Sequence, residues 1–145
     1  MKLYLVNSIL FFALLLASAK VVGQEKSQKD SIHFFEGTLH QAFIKAKSEK
    51  KYVFFDAYAS WCGPCKTMES VVYKDSKVAQ YFNAKFVSIK IDMEQGEGPD
   101  LAKKLPSIDG YPSLLFFDFN GNLHKTLLGS RKAEDFLQEA KLVAK

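Results

Sequence analysis

The sequence has few cysteines and little excess charge of either sign. It contains two cysteines in 145 residues, and 20 Lys+Arg stand against 16 Asp+Glu, for a formal charge of +4. Two cysteines exclude a disulfide-dense miniature scaffold and exclude four-cysteine zinc or iron–sulfur ligation within one chain. So small a charge does not indicate a nucleic-acid partner. The two cysteines therefore need another explanation.

Aromatic residues are abundant, with 13 Phe and 6 Tyr. They are enough to build a packed core, which excludes disorder as the default, and the length fits one ordinary domain. His33, His40 and His124 are scattered without the spacing of metal ligands. The sequence therefore predicts neither a metal site nor a cofactor.

The N-terminus has the pattern of a targeting signal. Lys2 precedes a nearly continuous apolar run, and small residues follow that run. This pattern predicts a secretory signal peptide over 1–23, with cleavage after Gly23 or after Ala19. An uncleaved membrane anchor is the alternative, because the segment is just long enough to span a bilayer. Cleavage after Gly23 would leave a charge of +2 and would place the cysteines in the periplasm or outside the cell, where disulfides persist.

The remaining chain alternates strand and helix patterns. A flexible polar lead is predicted over 24–31 and a single domain over 32–145. The predicted elements are a strand at 32–35, a helix opened by a capping box of Thr38 and Gln41, a buried strand at 52–58, helices at 64–73 and 77–82, a strand at 86–91, a helix at 99–105, strands at 114–119 and 123–128, and a helix at 132–143. Met68, Val71 and Val72 are predicted to face the core. This order predicts an α/β fold with a central mixed sheet of four to five strands and helices on both faces.

The two cysteines stand three positions apart at a predicted helix start. That spacing places Cys62 and Cys65 on one side of the first turn, where their sulfurs can form a disulfide. Unpaired N–H groups there favour an anion, so Cys62 is the better nucleophile, and Cys65, one turn in, is expected to be more buried. Gly63 adds no side chain where a partner disulfide must approach, and Pro64 suits the first helical position. A purely structural bridge is disfavoured, because so small a loop restricts the unfolded chain little.

The string Trp61-Cys62-Gly63-Pro64-Cys65-Lys66 resembles the active site of the thioredoxin family. The resemblance runs from about residue 32 to the C-terminus and is closest to secreted or periplasmic thioredoxin-like proteins. It implies a thioredoxin fold and a redox-active Cys62–Cys65 disulfide. In that chemistry Cys62 attacks a disulfide and Cys65 resolves the mixed disulfide.

The resemblance also implies a role for a buried acid. Asp56, six residues before Cys62, corresponds to the family's buried carboxylate. An acid inside an apolar strand is expected to have a raised pKa and to exchange protons with Cys65 through water. Two departures accompany it. Tyr58 stands where thioredoxins often carry Trp, and Ser88 stands where many have a Lys near the buried acid.

A substrate-binding surface is implied around the cysteines. Pro112 corresponds to the cis-proline loop that faces the disulfide, and Tyr111 would pair through its backbone with an extended substrate chain. Gly129 corresponds to the glycine that keeps the neighbouring surface flat. The implied substrate-binding residues are Trp61, Gly63, Pro64, Tyr111, Pro112 and Gly129. The segment 93–99 is longer and richer in Gly and Glu than is usual in the family, and we interpret it as a solvated loop, with a role in partner choice as the alternative.

The predicted function is an exported thiol–disulfide oxidoreductase that reduces protein disulfides, because Gly-Pro between the cysteines resembles reductants. The alternatives are a disulfide oxidase or isomerase using the same cysteines, and a non-catalytic binding or chaperone module. The resemblance implies disulfide-containing proteins as substrates and a membrane thiol-transfer protein as electron donor. We expect a monomer with no nucleic-acid partner and, once the signal is cleaved, no stable membrane association.

Overall fold

The computed structural model describes residues 31–105 and 108–145. The predicted signal peptide over 1–23, and the predicted lead as far as residue 30, lie outside the described residues. The elements are α1 (Leu39–Glu49), β1 (Tyr52–Tyr58), α2 (Gly63–Thr67), a π-helical turn (Met68–Val72), α3 (Ser76–Lys85), β2 (Phe86–Asp92), α4 (Gly98–Lys104), β3 (Ser113–Phe117), β4 (Leu123–Leu128) and α5 (Ala133–Val143). Within the described ranges, no helix has both the length and the apolarity needed to cross a membrane.

The described strands form one mixed sheet in the order β2-β1-β3-β4. β1 pairs parallel with β2 and antiparallel with β3, and β4 closes the sheet as an antiparallel edge. Residues 53–57 of β1 are all buried, because helices cover both faces of the sheet. The predicted α/β architecture with a four-stranded mixed sheet is confirmed.

The two faces of the sheet have different cores. The face covered by the π-helical turn, α3 and α5 holds an aromatic cluster, in which Phe82 stacks on Phe136 at 4.6 Å between ring centroids. Phe54 of β1 meets both rings edge-on. The face covered by α1 and α4 is mainly aliphatic. Burial on both faces fixes β1, so the chain that leaves its C-terminal end starts from a rigid support.

Helices α1 and α3 have side-chain N-caps, and the cap of α1 follows the sequence prediction. Thr38 is the N-cap of α1, and its side chain and that of Gln41 form the expected capping box. Asp75 caps α3 by accepting from the backbone N–H groups of Lys77 and Val78. These side chains satisfy helix-terminal donors that would otherwise lack partners.

The predicted strand at 32–35 is wrong. Only Phe34 makes a β-bridge, to Ser88, and the Phe35 N–H donates to the Ser88 carbonyl at 2.7 Å. Asn83 holds the preceding residues instead, accepting from the His33 N–H and donating to the Ser31 carbonyl. The segment therefore touches the edge of β2 without forming a ladder.

The predicted helix at 64–73 changes character halfway along. It becomes a π-helical turn at Met68–Val72, in which the Tyr73 N–H donates to the Met68 carbonyl five residues earlier. The wider turn rotates the following side chains relative to an α-helix. Val71, predicted to face the core, is 62% exposed, whereas Tyr73 is turned inward and buried.

Candidate active site

The two cysteines follow the C-terminal end of β1, and Cys62 is the N-cap residue of α2. Their sulfurs form a disulfide of 2.09 Å, with the Cα atoms 5.3 Å apart. The Cys65 backbone N–H donates to Cys62 Sγ at 3.2 Å. A donor aimed at this sulfur stabilises negative charge on it, which is the property that a nucleophilic thiolate needs.

Both cysteines are buried in this oxidised state. Cys62 is 2% exposed and Cys65 is 5% exposed. The expectation that Cys65 is the more buried of the two is therefore wrong. The reason is that both pack on Ala59, with Tyr58 and Tyr111 closing over them. Between the cysteines the surface is open. A side chain at Gly63 would meet no atom within 4 Å, and Pro64 is exposed.

The Tyr111–Pro112 loop lies against the disulfide. The peptide bond between these residues is cis, Pro112 is buried, and Tyr111 packs on the cysteine cluster. The Gly129 N–H donates to the Pro112 carbonyl at 2.8 Å, which ties the loop to the end of β4. Gly129 has a φ of +81°, and the nearest atom to a Cβ there would be Arg131 Nη1 at 3.9 Å. Backbone conformation, rather than crowding, therefore favours glycine.

Trp61 is also exposed, with 66% of its surface accessible. Its ring meets that of Tyr111 edge-on at 6.0 Å, and its Nε1–H donates to Glu94 Oε1 at 2.9 Å. The loop after β2 thus reaches the active site. It is also fixed beside β1, since the Met93 N–H donates to the Tyr58 carbonyl at 2.8 Å.

The same loop is anchored at its far end as well. Glu97 accepts a hydrogen bond from the Leu39 N–H at 2.8 Å, at the start of α1. Gly98 packs so closely that a Cβ would lie 2.1 Å from the Asp92 carbonyl oxygen. The loop is therefore anchored at both ends, while Glu94, Gln95, Gly96 and Pro99 are exposed to solvent.

Asp56 is a buried acid in β1, and only 3% of it is exposed. Its Oδ2 accepts a hydrogen bond from the Tyr73 hydroxyl at 2.8 Å, whereas Oδ1 has no hydrogen-bond partner among the described residues. Burial raises the pKa of Asp56 to about 7, against the opposing effects of the Tyr73 hydrogen bond and the Lys90 charge. Such an acid can take up or release a proton near neutral pH.

A cavity of about 100 Å³ joins Asp56 to Cys65. Its lining residues are Asp56, Tyr58, Ala59, Ser60, Cys65, Lys66, Glu69 and Lys90. It is large enough to hold water, and its walls supply polar partners. The geometry therefore offers a route for protons between Asp56 and Cys65.

Lys90 supplies the positive charge that the sequence lacks at Ser88. It lies directly opposite Asp56 in the β1–β2 ladder and forms an ion pair with Glu69. Ser88 itself is buried, and its hydroxyl has no hydrogen-bond partner among the described residues. Sequence reasoning missed Lys90, Glu69 and Tyr73. The alternation of β2 was the available signal for Lys90, because it puts residues 88 and 90 on one face.

The described residues contain no group of three or more His, Cys, Asp or Glu side chains that could hold a metal ion. The groups of the site that can take part in chemistry and that the structure brings together are the Cys62–Cys65 pair and Asp56. A buried disulfide at a helix start, under a cis-proline loop and beside a buried carboxyl, is the arrangement of a thioredoxin-fold thiol–disulfide oxidoreductase.

Comparisons with known proteins agree with this class. Residues 17–109 match the Thioredox_DsbH family model, described as a protein of unknown function, DUF255. A proposed disulphide-isomerase from Bacteroides thetaiotaomicron has a solution structure with 43% identity and a TM-score of 0.71, covering 82% of this chain and 98% of that chain. The chain therefore belongs to the thioredoxin-like family, in its DsbD/DsbH-like group.

Two further relatives carry the name DsbD. The thiol:disulfide interchange protein DsbD of Colwellia psychrerythraea is 34% identical over 105 residues, which cover 70% of this chain. This chain spans only 17% of the length of that protein. The reduced C-terminal domain of Neisseria meningitidis DsbD is 28% identical with a TM-score of 0.59, and the match covers 72% of this chain and 93% of that domain.

Proposed function

We propose that this chain is an exported thiol–disulfide oxidoreductase that reduces protein disulfides. The observation that carries the proposal is the Cys62–Cys65 disulfide at the start of α2, closed over by the Tyr111–Pro112 loop and joined by a cavity to Asp56. A bridge with an open surface at Gly63 and a protonatable acid behind it is arranged to be broken and reformed.

In the reducing direction the reaction has two exchange steps. The Cys62 thiolate attacks one sulfur of the substrate disulfide, forming a mixed disulfide, and the other substrate sulfur leaves as a thiolate that takes up a proton. The Cys65 thiolate then attacks Cys62 Sγ, closing the Cys62–Cys65 bond and releasing the second substrate thiolate. Two electrons pass from the protein dithiol to the substrate, which is reduced while the protein is oxidised.

Asp56 acts in the second step. The Cys65 thiol must lose its proton to become a nucleophile, and Asp56 is the buried base that lines the same cavity. A pKa of about 7 lets it accept that proton near neutral pH and return it to solvent afterwards. Water in the cavity would carry the proton between them.

The substrate chain would lie across the exposed side of the pair. Trp61, Gly63 and Pro64 form the exposed side of this surface, and Tyr111, Pro112 and Gly129 form its second wall. The open surface at Gly63, beside the Tyr111–Pro112 loop, suits an extended polypeptide rather than a small ligand. Disulfide-containing proteins are therefore the proposed substrates.

The electron supply is proposed to be a membrane thiol-transfer protein. Two relatives are named DsbD, and one of these is named a thiol:disulfide interchange protein. A signal peptide over 1–23 would place this domain where such a donor could reach it, in the periplasm or outside the cell. A reductase there needs a renewable source of electrons, because every turnover leaves it oxidised.

An isomerase or oxidase is the second candidate function. The Bacteroides neighbour with 43% identity is a proposed disulphide-isomerase, and an isomerase could use the same two cysteines. Equilibration of the purified protein with mixtures of reduced and oxidised glutathione separates the two functions. A reductase holds its disulfide oxidised until glutathione is strongly reducing, whereas a potential near the oxidising end would contradict the reductase proposal.

The proposal is tested with cysteine variants of the full chain in an assay of insulin disulfide reduction driven by dithiothreitol. Cys62→Ser is expected to reduce the catalysed rate to the uncatalysed background, because no nucleophile remains. Cys65→Ser is expected to trap substrates as mixed disulfides on Cys62. Ser48→Ala, on α1 away from the site, serves as the control and should match the unmodified chain. Full activity of Cys62→Ser would contradict redox catalysis.

A further inference from the structure

We propose that Tyr73 is a positioning residue for Asp56. Its hydroxyl holds one carboxylate oxygen, Oδ2, so that the other oxygen, Oδ1, is the one that exchanges protons with Cys65. This inference rests on the proposed function, since it assigns Tyr73 a part in the proton step of that reaction.

The first support is the geometry of the contact. The Tyr73 hydroxyl donates to Asp56 Oδ2 at 2.8 Å, and both residues are almost fully buried, at 2% and 3% exposure. A hydrogen bond to a carboxylate in so buried a place is stronger than one at the surface. Burial, followed by the charge and hydrogen bond of Asp56, raises the pKa of Tyr73 well above its usual value, so the hydroxyl stays a donor.

The second support is the backbone that delivers Tyr73. The π-helical turn at Met68–Val72 ends in the hydrogen bond from the Tyr73 N–H to the Met68 carbonyl. This turn directly follows the helix that carries Cys65. One continuous segment therefore supplies both the thiol and the donor that orients its acid. π-helical turns of this kind occur preferentially at functional sites.

The third support is the difference in hydrogen bonding between the two carboxylate oxygens of Asp56. Asp56 and Cys65 both line the 100 Å³ cavity, whereas Tyr73 does not. Oδ1 is buried without a hydrogen-bond partner among the described residues. Because the Tyr73 hydroxyl occupies Oδ2, Oδ1 is the carboxylate oxygen without a protein donor, and it is therefore the available proton acceptor.

Other ionisable groups also face Asp56. Lys90 approaches from β2, Glu69 from the π-helical turn, and Lys66 and Tyr58 line the same cavity. Lys90 and Glu69 are paired with each other and influence Asp56 through their charges, in opposite senses. Among the described residues, Tyr73 alone donates a side-chain hydrogen bond to this carboxyl, so its hydroxyl can be removed without changing any charge.

The test is Tyr73→Phe in the full chain, with the Asp56 carboxyl followed by ¹³C NMR during a pH titration of the oxidised protein. Loss of a donor to the carboxylate should raise the titration midpoint of Asp56 by about one pH unit. Tyr81→Phe is the matched control, because Tyr81 donates a similar hydrogen bond to the Ala144 carbonyl, away from the site. It should leave the midpoint unchanged, and Asp56→Asn identifies the resonance.

The second readout is the pH dependence of the resolving step in the reduced protein. In Tyr73→Phe the rise of this rate with pH should move upward by the same amount, with the plateau retained. An equal loss of rate at every pH, or an unmoved NMR midpoint, would overturn the inference and leave Tyr73 a structural residue. The NMR titration needs no turnover, so absence of reductase activity in the unmodified chain would count against the proposed function and not against the Tyr73–Asp56 contact.

A second variant covers the case in which Tyr73→Phe folds poorly. Replacing Tyr73 with 3-fluorotyrosine keeps the ring and makes the hydroxyl more acidic, which strengthens its donation. The Asp56 midpoint should then fall relative to the unmodified chain. A midpoint that rises or stays unchanged would contradict the inference.

Discussion

Asp56 lies in β1 and Asp118 lies just after the neighbouring strand β3, and their surroundings shift their pKa values in opposite directions. Asp56 lies inside β1, near the end of the sheet that leads to the cysteines. Asp118 directly follows β3, which runs antiparallel to β1, so it lies at the opposite end. Burial raises the pKa of Asp56 to about 7, even though Tyr73 donates a hydrogen bond to it.

At Asp118 the balance is reversed. Partial burial acts to raise the pKa of Asp118, but hydrogen bonds from the Asn122 side chain and from the backbone of Asn122 and Asn120 outweigh it and lower the pKa to about 2. Both backbone N–H groups donate to Oδ1, at 2.8 and 3.0 Å, and the Asn122 side chain donates to Oδ2 at 2.8 Å. His124 adds a weaker contact at 3.4 Å.

The difference between the two aspartates is the supply of donors. Asp118 has donors on both oxygens, and it holds the β3–β4 turn together as a stable anion. Asp56 has a donor on one oxygen only, so its charged form is unfavourable and protonation of the carboxyl is favoured. Asp56, with one oxygen lacking a donor, is suited to proton transfer, whereas Asp118, with donors on both oxygens, is suited to stabilising the turn.

The largest expected effect is on stability at alkaline pH. Asp56→Asn removes a carboxyl whose pKa rises from 3.8 to about 7 on folding, so at pH 8 it should raise the free energy of unfolding by up to about 4 kcal/mol. Denaturant unfolding of the oxidised protein measures this quantity. A variant less stable than the unmodified chain at pH 8 would contradict the comparison.

The same variant fixes the sign of the pH dependence. Because the pKa of Asp56 is higher in the folded state, Asp56 does not lower the free energy of unfolding below pH 3.8. Between pH 3.8 and about 7 it lowers that free energy progressively, and above pH 7 the full destabilisation is present. The stability advantage of Asp56→Asn should therefore be small at pH 4, grow through this window and level off near pH 8. An advantage that does not change with pH would indicate repacking rather than removal of a buried charge.

The next expected effect is on the exchange reaction. At pH 7, Asp56→Asn should slow the attack of Cys65 on the mixed disulfide by at least about 10-fold, since a positioned base is lost. Rapid-mixing measurement of Cys62–Cys65 disulfide formation tests this step separately from substrate attack. The difference should narrow at higher pH, where hydroxide can deprotonate the thiol directly. Asp118→Asn is the control and should not change the rate.

The contrast between these two acids also shows what the sequence could predict. The cysteine pair, its place at a helix start and the burial of Asp56 follow from contiguous residues: an apolar strand, a turn and a helix. The α/β order likewise follows from periodicity within single segments. These features depend on chain neighbours, which a sequence displays directly.

The partners of Asp56 depend on information that is not local. Tyr73 reaches the acid because a π-helical turn changes the phase of the helix, and no residue pattern in the segment indicated that change. Lys90 faces Asp56 because of the parallel register of β1 and β2, which pairs residues far apart in sequence. The sequence shows that Ser88 stands where related proteins carry a lysine. It does not show that Lys90, two residues later, faces Asp56 instead, because that depends on the register between β1 and β2.

A smaller effect is expected at the structural aspartate. Asp118→Asn replaces an oxygen that accepts hydrogen bonds with an amide that donates them, and it should lower the free energy of unfolding at pH 7 by about 1 kcal/mol after solvent screening. A lowered pKa in the folded state contributes stability above pH 3.8 that is lost as the pH falls through about 2. The difference from the unmodified chain should therefore shrink in strong acid, and a constant difference would contradict this reason.

The smallest expected effect concerns an exposed acid at the active end, and it tests whether burial or mere proximity makes an acid functional. Glu94 accepts the Trp61 Nε1–H at 2.9 Å, yet its side chain is exposed to solvent. Glu94→Ala should therefore alter the exchange rates less than about 3-fold, because a solvated hydrogen bond contributes little.

The side chain of Trp61 should nevertheless respond to this substitution. Trp61 is the only tryptophan in the chain, so fluorescence anisotropy reports on this ring alone, and it should fall when the Glu94 acceptor is lost. Glu94→Gln keeps an acceptor and serves as the matched control, with an intermediate anisotropy. If Glu94→Ala slowed exchange as much as Asp56→Asn, distance from the disulfide rather than desolvation would decide which acid takes part. The contrast between the two ends of the sheet would then lose its physical basis.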